Sequence, residues 1–233
     1  MFQGKNKAIT FSYDDGVIQD KRLIALLDKY GLKATFNLNS ELFGMTHINQ
    51  NNGQPYEHVK ILAEEVRELY KRHEVAVHTL THPRLTEVSD EEVVRQVEQD
   101  RINLSQLVGY EVIGMAYPCG GINHDERTER LIRQHTGIQY CRTITSTYSF
   151  APQKNLYQFH PTVHHLDADG KTYDICERFL ESSSTQPQLL YIWGHSYEMD
   201  FGDRWNEIEK IFALLGNHSD VFYGTNKEVF GLT

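Results

Sequence analysis

The feature that most constrains this chain is a regular alternation of strand-like and helix-like segments. Apolar or alternating runs predict strands at residues 8–13, 33–38, 75–77, 112–117, 138–144, 189–193 and 221–223. Amphipathic spacings between these runs predict helices, a pattern typical of parallel strands with helices packed outside. About seven or eight strands favour an α/β fold of the distorted (β/α) barrel type over a doubly wound sheet. No glycine-rich fingerprint follows the first strand, so a dinucleotide-binding fold lacks support.

A single domain accounts for the whole chain. The sequence has 233 residues, a length at which α/β barrels commonly form one domain with a sizeable core. No repeat, low-complexity segment or interdomain linker interrupts it, so residues 1–233 are predicted to form one domain. Three stretches are less regular: residues 39–56 predict a long loop, the apolar spacing in residues 59–69 predicts a helix, and residues 156–162 predict a strand.

Composition and charge exclude several classes of partner. The formal net charge is −9 and no cluster of lysine and arginine stands out, which argues against nucleic acid and an anionic membrane surface. No apolar run has the length of a membrane span or a signal peptide, so the chain as written is expected to be cytoplasmic. A secreted protein with a trimmed leader would look the same. The three cysteines are too few and scattered for a disulfide framework, and nothing in the sequence specifies the oligomeric state.

Reactive or turn-forming residues stand where the predicted strands end. In chain order these are Asp14 and Asp15, His78 and His82, the segment Tyr117-Pro118-Cys119-Gly120, Arg142, and His195. In (β/α) barrels the carboxyl ends of the strands share one rim, where active sites form. The sequence therefore predicts one site to which these residues contribute.

Two adjacent carboxylates, Asp14 and Asp15, end the first strand just before Gly16. Side by side they repel and raise each other's proton affinity, so a positive partner is expected, and a metal cation would supply it. Asp-Gly is also a common turn dipeptide, so a polar turn without a site stays open as the alternative. His78 and His82 have a spacing that lets two imidazoles converge on one ion, unless they are two unrelated polar histidines. Two histidines with one carboxylate form a ligand set that leaves positions open for catalysis.

The motifs resemble those of the polysaccharide deacetylases, the NodB-homology domains of carbohydrate esterase family 4. Thr10-Phe11-Ser12-Tyr13-Asp14-Asp15-Gly16 is similar to the first motif, with two more residues between the Phe and the Asp pair. His78-Thr79-Leu80-Thr81-His82 matches the second motif in full. Ala116-Tyr117-Pro118-Cys119-Gly120 matches the third in part, and the strand from Leu190 to His195 is similar to the fifth. The motifs keep the family's order over residues 8–225.

The resemblance implies roles for most of these residues. Three of them would hold a divalent metal: Asp15, His78 and His82. The expected ion is zinc, with cobalt or another divalent metal as alternatives, because this ligand set discriminates poorly. Asp14 would be the general base, His195 the general acid, and the backbone N–H of Cys119 a contact for the oxyanion. Such a site polarises a carbonyl, takes a proton from water and protonates the departing amine or alkoxide.

The third motif departs from the family pattern at two positions, Ala116 and Cys119, the second of which stands in place of a tyrosine. Ala116 stands where the third motif has the arginine that pairs with the base aspartate. Our hypothesis is that Arg142, on the next strand, supplies this charge, and the alternative is a surface arginine at a strand end. The family's fourth motif, a tryptophan-bearing segment that orients the catalytic histidine, has no clear counterpart. Candidates to meet the substrate are Tyr117, Pro118, Trp193 and Tyr197, although core packing is an alternative use of the tryptophan.

Other polar residues carry weaker signals. Tyr197 and Glu198 directly follow His195 and are candidates to orient it, while Asn37 and Asn39 end the second strand near the site. A further group has spacings that a metal would accept: His160, His164, His165 and Asp167. We interpret this group as a polar loop near the rim, because no clear strand frames it.

Together these features predict a metal-dependent hydrolase of carbohydrate metabolism that removes acetyl groups from an N- or O-acetylated sugar or oligosaccharide. Two alternatives stay open. One is a related C–N hydrolase that uses the same metal site on a small intracellular amide. The other is a non-catalytic carbohydrate-binding barrel, which the missing arginine of the third motif favours. A complete set of base, acid and metal ligands weighs against the second alternative, because binding alone requires none of them.

Overall fold

The computed structural model describes residues 2–51, 53–167 and 170–232 of the chain. The strands are β1 (Lys7–Asp14), β2 (Ala34–Leu38), β3 (Thr46–Asn51), β4 (Gln54–Val59), β5 (Glu74–Val77), β6 (Gly114–Ala116), β7 (Tyr140–Arg142), β8 (Val163–His164), β9 (Gln188–His195) and β10 (Val221–Tyr223). The helices are α1 (Asp20–Lys29), α2 (Val66–Leu69), α3 (Asp90–Val108), α4 (Glu126–His135), α5 (Lys171–Glu181), α6 (Trp205–Leu215) and α7 (Asn226–Phe230). Strands and helices alternate over most of the chain, as the sequence predicts.

Eight parallel strands form one sheet that curls into a distorted barrel. The strand order is β7-β6-β5-β2-β1-β9-β8, and β10 also pairs with β1. Phe159, just before β8, connects this edge to β7, because its N–H donates to the Cys141 carbonyl and its own carbonyl accepts the N–H of Thr143. These bonds bring the two edges of the sheet together. The predicted (β/α) barrel is confirmed.

Strand β1 lies at the centre of the sheet and determines where Asp14 points. All eight of its residues are buried. It pairs with β9 along its full length, and on its other edge with β10 in its first half and with β2 in its second. Ile9, Phe11 and Tyr13 join the main apolar core. Because side chains alternate along a strand, Ser12 and Asp14 point to the opposite face, where one asparagine of β2 bonds to both.

Helix α3 shows how local sequence sets the ends of an element. The hydroxyl of Ser89 accepts the N–H of Glu92 at the first turn, and Gly109 ends the helix with a φ of 83°. The helix also carries two buried polar residues, Gln96 and Asp100, which face the turn after β5. The helix thereby supports the segment that bears both histidines of the second motif.

A β-hairpin occupies most of the region predicted as a long loop and the start of the predicted helix that follows it. Strands β3 and β4 pair antiparallel from Thr46 opposite Val59 to Asn51 opposite Gln54. The helical part of this region is confined to a 3-10 turn at Ala63–Glu65 and the short α2. The predicted helix is thus confirmed only from residue 63 onward. Its first part was wrong because Val59, although at helical spacing to later apolar residues, belongs to the end of β4.

Two smaller differences lie later in the chain. The predicted strand at residues 156–162 is a 3-10 turn at Leu156–Gln158, and the strand itself is β8. Helix α7 has no counterpart in the sequence predictions. Among the described residues, no helix combines the length and apolar character needed to span a membrane.

Candidate active site

The carboxyl ends of the parallel strands surround a cavity of about 410 Å³. Its lining includes most of the predicted site residues: Asp14, Asp15, His78, His82, Tyr117, Cys119, Trp193, His195 and Tyr197. Residues far apart in the sequence meet here because parallel strands all end at the same rim.

Asp14 is buried at the end of β1 and is held from several sides. The Arg142 guanidinium contacts both of its carboxylate oxygens, and Asn37 Nδ2 donates to Oδ1 at 2.8 Å. The Nε2 atoms of His78 and His195 each lie 3.9 Å from Oδ2. Burial alone would raise the pKa of Asp14, but Arg142 and the two histidines hold it below its usual value. Asp14 is therefore an ionised carboxylate between two histidines.

Arg142 reaches Asp14 from the strand next to the expected one. Ala116 on β6 pairs directly with Arg142 on β7, so the guanidinium enters the barrel one strand further along the sheet than the third motif predicts. The side chain is completely buried, so the alternative of a surface arginine is wrong. Its Cζ lies 4.5 Å from the centroid of the Trp193 ring, a cation–π contact. A positive charge thus lies beside Asp14, although it comes from β7 and not from β6.

Asp15, His78 and His82 form a cluster of metal-ligand type, in which one ligand atom of each lies within 4.8 Å of the others. Asp15 has a φ of 84°, a left-handed conformation that turns it out of the strand alternation towards the same cavity as Asp14. The Nδ1–H of His78 donates to the Ala116 carbonyl at 2.9 Å, so the lone pair is on Nε2. Burial lowers the pKa of His78 to about 4, which keeps its ring neutral. This donor set fits a divalent metal.

The turn that carries the two histidines is supported from beneath. Asn39 Nδ2 donates to the carbonyls of His78 and Thr79, at 2.6 and 2.9 Å. Asp100 accepts the N–H of His78 at 3.3 Å, and the Gln96 carbonyl accepts an N–H of the same turn. Thr79 has a φ of 69°, a strained value for a β-branched residue, which these contacts maintain. The imidazoles are therefore preorganised by the barrel.

A second histidine cluster surrounds Glu198 on the other side of Asp14. Glu198 Oε2 lies 2.7 Å from Nε2 of His165, 3.2 Å from Nε2 of His164 and 3.3 Å from Nδ1 of His195. The same oxygen accepts the backbone N–H of His195 at 3.1 Å. Burial would lower the pKa of His195, but the hydrogen bond and the charge of Glu198 raise it to about 9. His195 therefore holds a proton near neutral pH.

Ligand atoms of His164, His195 and Glu198 also lie within 4.8 Å of one another. The Nδ1 of His164, however, accepts the N–H of Leu166 at 3.3 Å, so the proton of its neutral ring is on Nε2, facing Glu198. A protonated nitrogen offers no lone pair to a metal. We therefore interpret this cluster as hydrogen bonds that converge on one carboxylate.

The structure divides the group of residues that sequence spacing assembled after β7. His164 and His165 contact Glu198, while His160 and Asp167 hydrogen-bond to side chains of the loop between β7 and β8. Half of the segment interpreted as a polar loop thus supports the site. Sequence spacing alone could not reveal this, because Glu198 follows a different strand.

The residues predicted to meet the substrate occupy different positions. Trp193 and Tyr197 line the cavity, and Trp193 packs on the guanidinium described above. Tyr117 also lines it, but its hydroxyl donates to a backbone carbonyl at 3.0 Å. Pro118 is buried and is not among the described residues that line the cavity. Cys119 lines the cavity with a φ of 68°, and substrate contacts of all five residues stay predictions.

Sequence reasoning missed one wall of the cavity, which the hairpin β3–β4 and the residue after it provide. His47, Asn49, His58 and Lys60 line this wall. Lys60 Nζ lies 3.3 Å from Oδ1 of Asp15, and His58 Nε2 lies 3.5 Å from Oδ2. Burial would raise the pKa of Asp15, but Lys60 and the His58 hydrogen bond hold it well below its usual value. The dipeptide at residues 52–53, Asn-Gly, is a sequence signal for a hairpin that would have indicated this wall.

A barrel with a cluster of metal-ligand type at the carboxyl ends of its strands is suited to metal-assisted hydrolysis. A family model described as polysaccharide deacetylase matches residues 3–140, more than half of the chain. The chain therefore belongs to the polysaccharide deacetylase family, which confirms the resemblance of its motifs and the predicted enzyme class, a carbohydrate deacetylase. A comparison with curated proteins gave no match.

Solved structures share the fold at low sequence identity. A family 4 acetyl xylan esterase from Clostridium thermocellum, in complex with a cobalt ion, has a TM-score of 0.60 and 13% identity over 97% of this chain and 93% of that one. The peptidoglycan deacetylase PdaC from Bacillus subtilis has a TM-score of 0.57 and 18% identity over 97% and 91%. The deacetylase PplD from Streptococcus pyogenes, in complex with acetate, has a TM-score of 0.51 and 19% sequence identity. The match covers 64% of this chain and 61% of that one. At these identities the likeness concerns the fold.

Proposed function

We propose that this chain is a metal-dependent deacetylase that acts on an N- or O-acetylated carbohydrate. The observation that carries the proposal is the position of Asp14, whose Oδ2 lies 3.9 Å from both His78 Nε2 and His195 Nε2. A base, a ligand of the metal-type cluster and a candidate acid are thus within reach of one substrate bond. All three side chains line the same cavity.

Asp15, His78 and His82 would hold the metal, for which we propose zinc with cobalt as the alternative. When bound, such an ion polarises a carbonyl oxygen and acidifies water. The support is the donor set itself: a carboxylate, and a neutral imidazole whose far nitrogen is fixed by the Ala116 carbonyl.

The other side chains move protons or hold the groups that do. Asp14, kept ionised by Arg142, would take the proton from the attacking water. His195, with its raised pKa, would give a proton to the departing amine or alkoxide. The backbone N–H of Cys119 at the rim would stabilise the developing oxyanion. Trp193 and Tyr197, which line the cavity, would pack against a sugar ring.

A second candidate uses the same chemistry on a small amide. The cavity of about 410 Å³ is near the lower end of the range of ligand pockets, about 300–1,000 Å³, which favours a small substrate. A free sugar and a small amide are both small enough for a cavity of this volume, so a test of the function requires both kinds of substrate.

The test is metal content followed by acetate release from acetylated sugars, their oligomers and small N-acetyl amides. We expect bound metal and acetate release, loss of the metal in Asp15→Asn, and retained metal without turnover in Asp14→Asn. Asp90→Asn is the matched control, because Asp90 is exposed and pairs with Arg127 at the surface. Turnover of small amides alone would support the second candidate. Protein that neither binds metal nor releases acetate would refute both and favour a non-catalytic barrel.

A further inference from the structure

We propose that Lys60 is a built-in counter-charge for Asp15, which weakens the hold of the site on a divalent ion and makes the ion exchangeable. The inference rests on the proposed function in one respect, the assignment of Asp15 as a metal ligand. No motif of the sequence points to this lysine. It comes from the segment that follows the unpredicted hairpin.

The donors of Lys60 are all directed at oxygens around Asp15. Nζ lies 2.5 Å from the backbone carbonyl of Asp15, 3.3 Å from its Oδ1 and 3.0 Å from Asn39 Oδ1. An ammonium has three N–H donors, so these three acceptors use its full capacity. Lys60 therefore has no donor left for a substrate and acts through Asp15, as a positioning residue.

The lysine is fixed in this place by its surroundings. It is 4% exposed, and its backbone N–H donates to the Met45 carbonyl at 2.9 Å. The hairpin β3–β4 is itself held close to His195, the proposed general acid. The Tyr56 ring of the hairpin stacks on the ring of Tyr197, two residues after His195, with centroids 5.7 Å apart. A buried charge requires a partner, and among the described residues the carboxylate paired with Lys60 is Asp15. The pair is thus a built feature of the cavity.

Charge balance gives the direction of the effect. With neutral histidines, the ligand set Asp15, His78 and His82 carries one negative charge, and Lys60 cancels it. Asp14 and Arg142 cancel each other in the same way. Lys60 approaches Oδ1 of Asp15, and the same oxygen lies 3.9 Å from Nε2 of His82. The ammonium therefore lies beside the carboxylate oxygen that faces His82, another proposed metal ligand. The Lys60 ammonium would repel a cation bound by Asp15, His78 and His82, because the buried surroundings screen charges poorly at such short range.

Titration of metal-free protein with Zn²⁺ against a chromophoric chelator tests this directly. We expect Lys60→Gln and Lys60→Met to bind Zn²⁺ at least about tenfold more tightly than the wild type, since both remove the charge. Lys60→Arg keeps the charge and should stay near the wild-type affinity. Lys21→Gln is the surface control, because Lys21 pairs with Glu65 away from Asp15. Lys60→Met supplies the same test if Lys60→Gln fails to fold.

The sign of the change separates the proposal from a purely structural role. Loss of a supporting contact would weaken metal binding in every variant, so equal or weaker affinity in Lys60→Gln and Lys60→Met overturns the proposal. Co²⁺ absorption bands that keep their shape would show that the ligands are unchanged while the affinity rises. Zinc binding without acetate release would refute the proposed function and leave this inference intact. Full deacetylase activity with unchanged zinc affinity in the lysine variants would refute only the inference.

Discussion

The two histidine clusters on either side of Asp14 contain the same kinds of residue, but the Nε2 atoms of His78 and His164 differ in whether they carry the proton. Around Asp15, the Ala116 carbonyl takes the proton of His78 Nδ1, so the lone pair of Nε2 is available. Around Glu198, the N–H of Leu166 occupies the lone pair of His164, so the proton faces the carboxylate. The backbone group that meets the far nitrogen decides whether a histidine offers a lone pair or a proton.

The same comparison explains two opposite pKa shifts among buried histidines. Burial lowers the pKa of His78 to about 4, and the opposing charge of Asp14 does not overcome it. At His195 burial also acts downward, but Glu198 raises the pKa to about 9. At His195 the charges of Asp15 and Asp14 add to that of Glu198, and together they outweigh burial. At His165, which also contacts Glu198, burial prevails and lowers the pKa to about 4.

The largest effect is expected from the same substitution made in each cluster. His78→Ala should lose the metal and reduce acetate release by roughly 10³-fold, since a bound metal contributes several kcal/mol to transition-state stabilisation. His164→Ala should keep the metal. Metal analysis and kcat of the two purified variants check this. Loss of metal from His164→Ala with retention in His78→Ala would reverse our assignment of the clusters.

Arg142→Met tests the charge that lies between the clusters. Without the guanidinium, the buried Asp14 keeps its desolvation and loses its main partner, so its pKa rises and the acidic limb of the pH–rate profile moves upward. We expect about 10²-fold lower kcat and about 3–5 kcal/mol less stability from the broken buried pair. Arg133→Met, at the surface pair with Glu129, is the control. An unchanged pH profile in a folded variant would contradict the role of Arg142.

Glu198→Gln should change the Glu198 cluster alone. A general acid must hold its proton, so activity falls as pH rises through the pKa of His195, about 9 in the wild type. Without the Glu198 carboxylate, the pKa that governs this basic limb of the pH–rate profile should move down towards the ordinary histidine value, about 6.5. The kcat at pH 8 should then fall about tenfold. Metal affinity should not change. A basic limb that stays near 9 would show that another group sets it.

The same raised pKa makes a prediction about stability. A folded-state pKa above the unfolded value, about 6.5, stabilises the protein fully below that pH, and the stabilisation is lost as pH rises through about 9. Unfolding by denaturant at pH 6 and pH 9.5 should therefore show a larger loss for the wild type than for Glu198→Gln. Equal losses would mean that His195 does not contribute.

The smallest effect is expected from Gly194→Ala on β9. An added Cβ would lie 2.3 Å from Cδ2 of the buried His165 ring, so the ring that contacts Glu198 must shift. We expect a loss of about 1–3 kcal/mol in stability, a small shift of the basic limb, and unchanged metal binding. Gly120→Ala, where the added Cβ has open space, is the stability control. A change in metal affinity would show that the two clusters are coupled.

Much of the site could be predicted because strand ends carry it. The alternation through Asp14 located the first strand, and the motif spacing located His78, His82 and His195. The contact between Arg142 and Asp14 was only a hypothesis from the sequence, because the cross-strand pairing of Ala116 with Arg142 is a property of the sheet. The buried position of Arg142 follows from this strand pairing, and the sequence around Arg142 contains no pattern that predicts it.

The missed features depend on contacts between distant segments. Glu198 meets His164 because β8 pairs with β9, with His164 opposite Trp193. Lys60 meets Asp15 because a hairpin folds over the rim, and the apolar spacing after it favoured a helix instead. Local periodicity cannot distinguish these cases, since tertiary contacts decide them.

The central place of β1 has a consequence for biosynthesis. One edge of this strand pairs entirely with β9, and part of the other with β10, both of which are synthesised long after it. Until those strands emerge from the ribosome, β1 exposes unpaired backbone groups along an apolar segment, a hazard for aggregation. The barrel can therefore close only late in translation, and nascent chains released before β9 would be natural clients of chaperones.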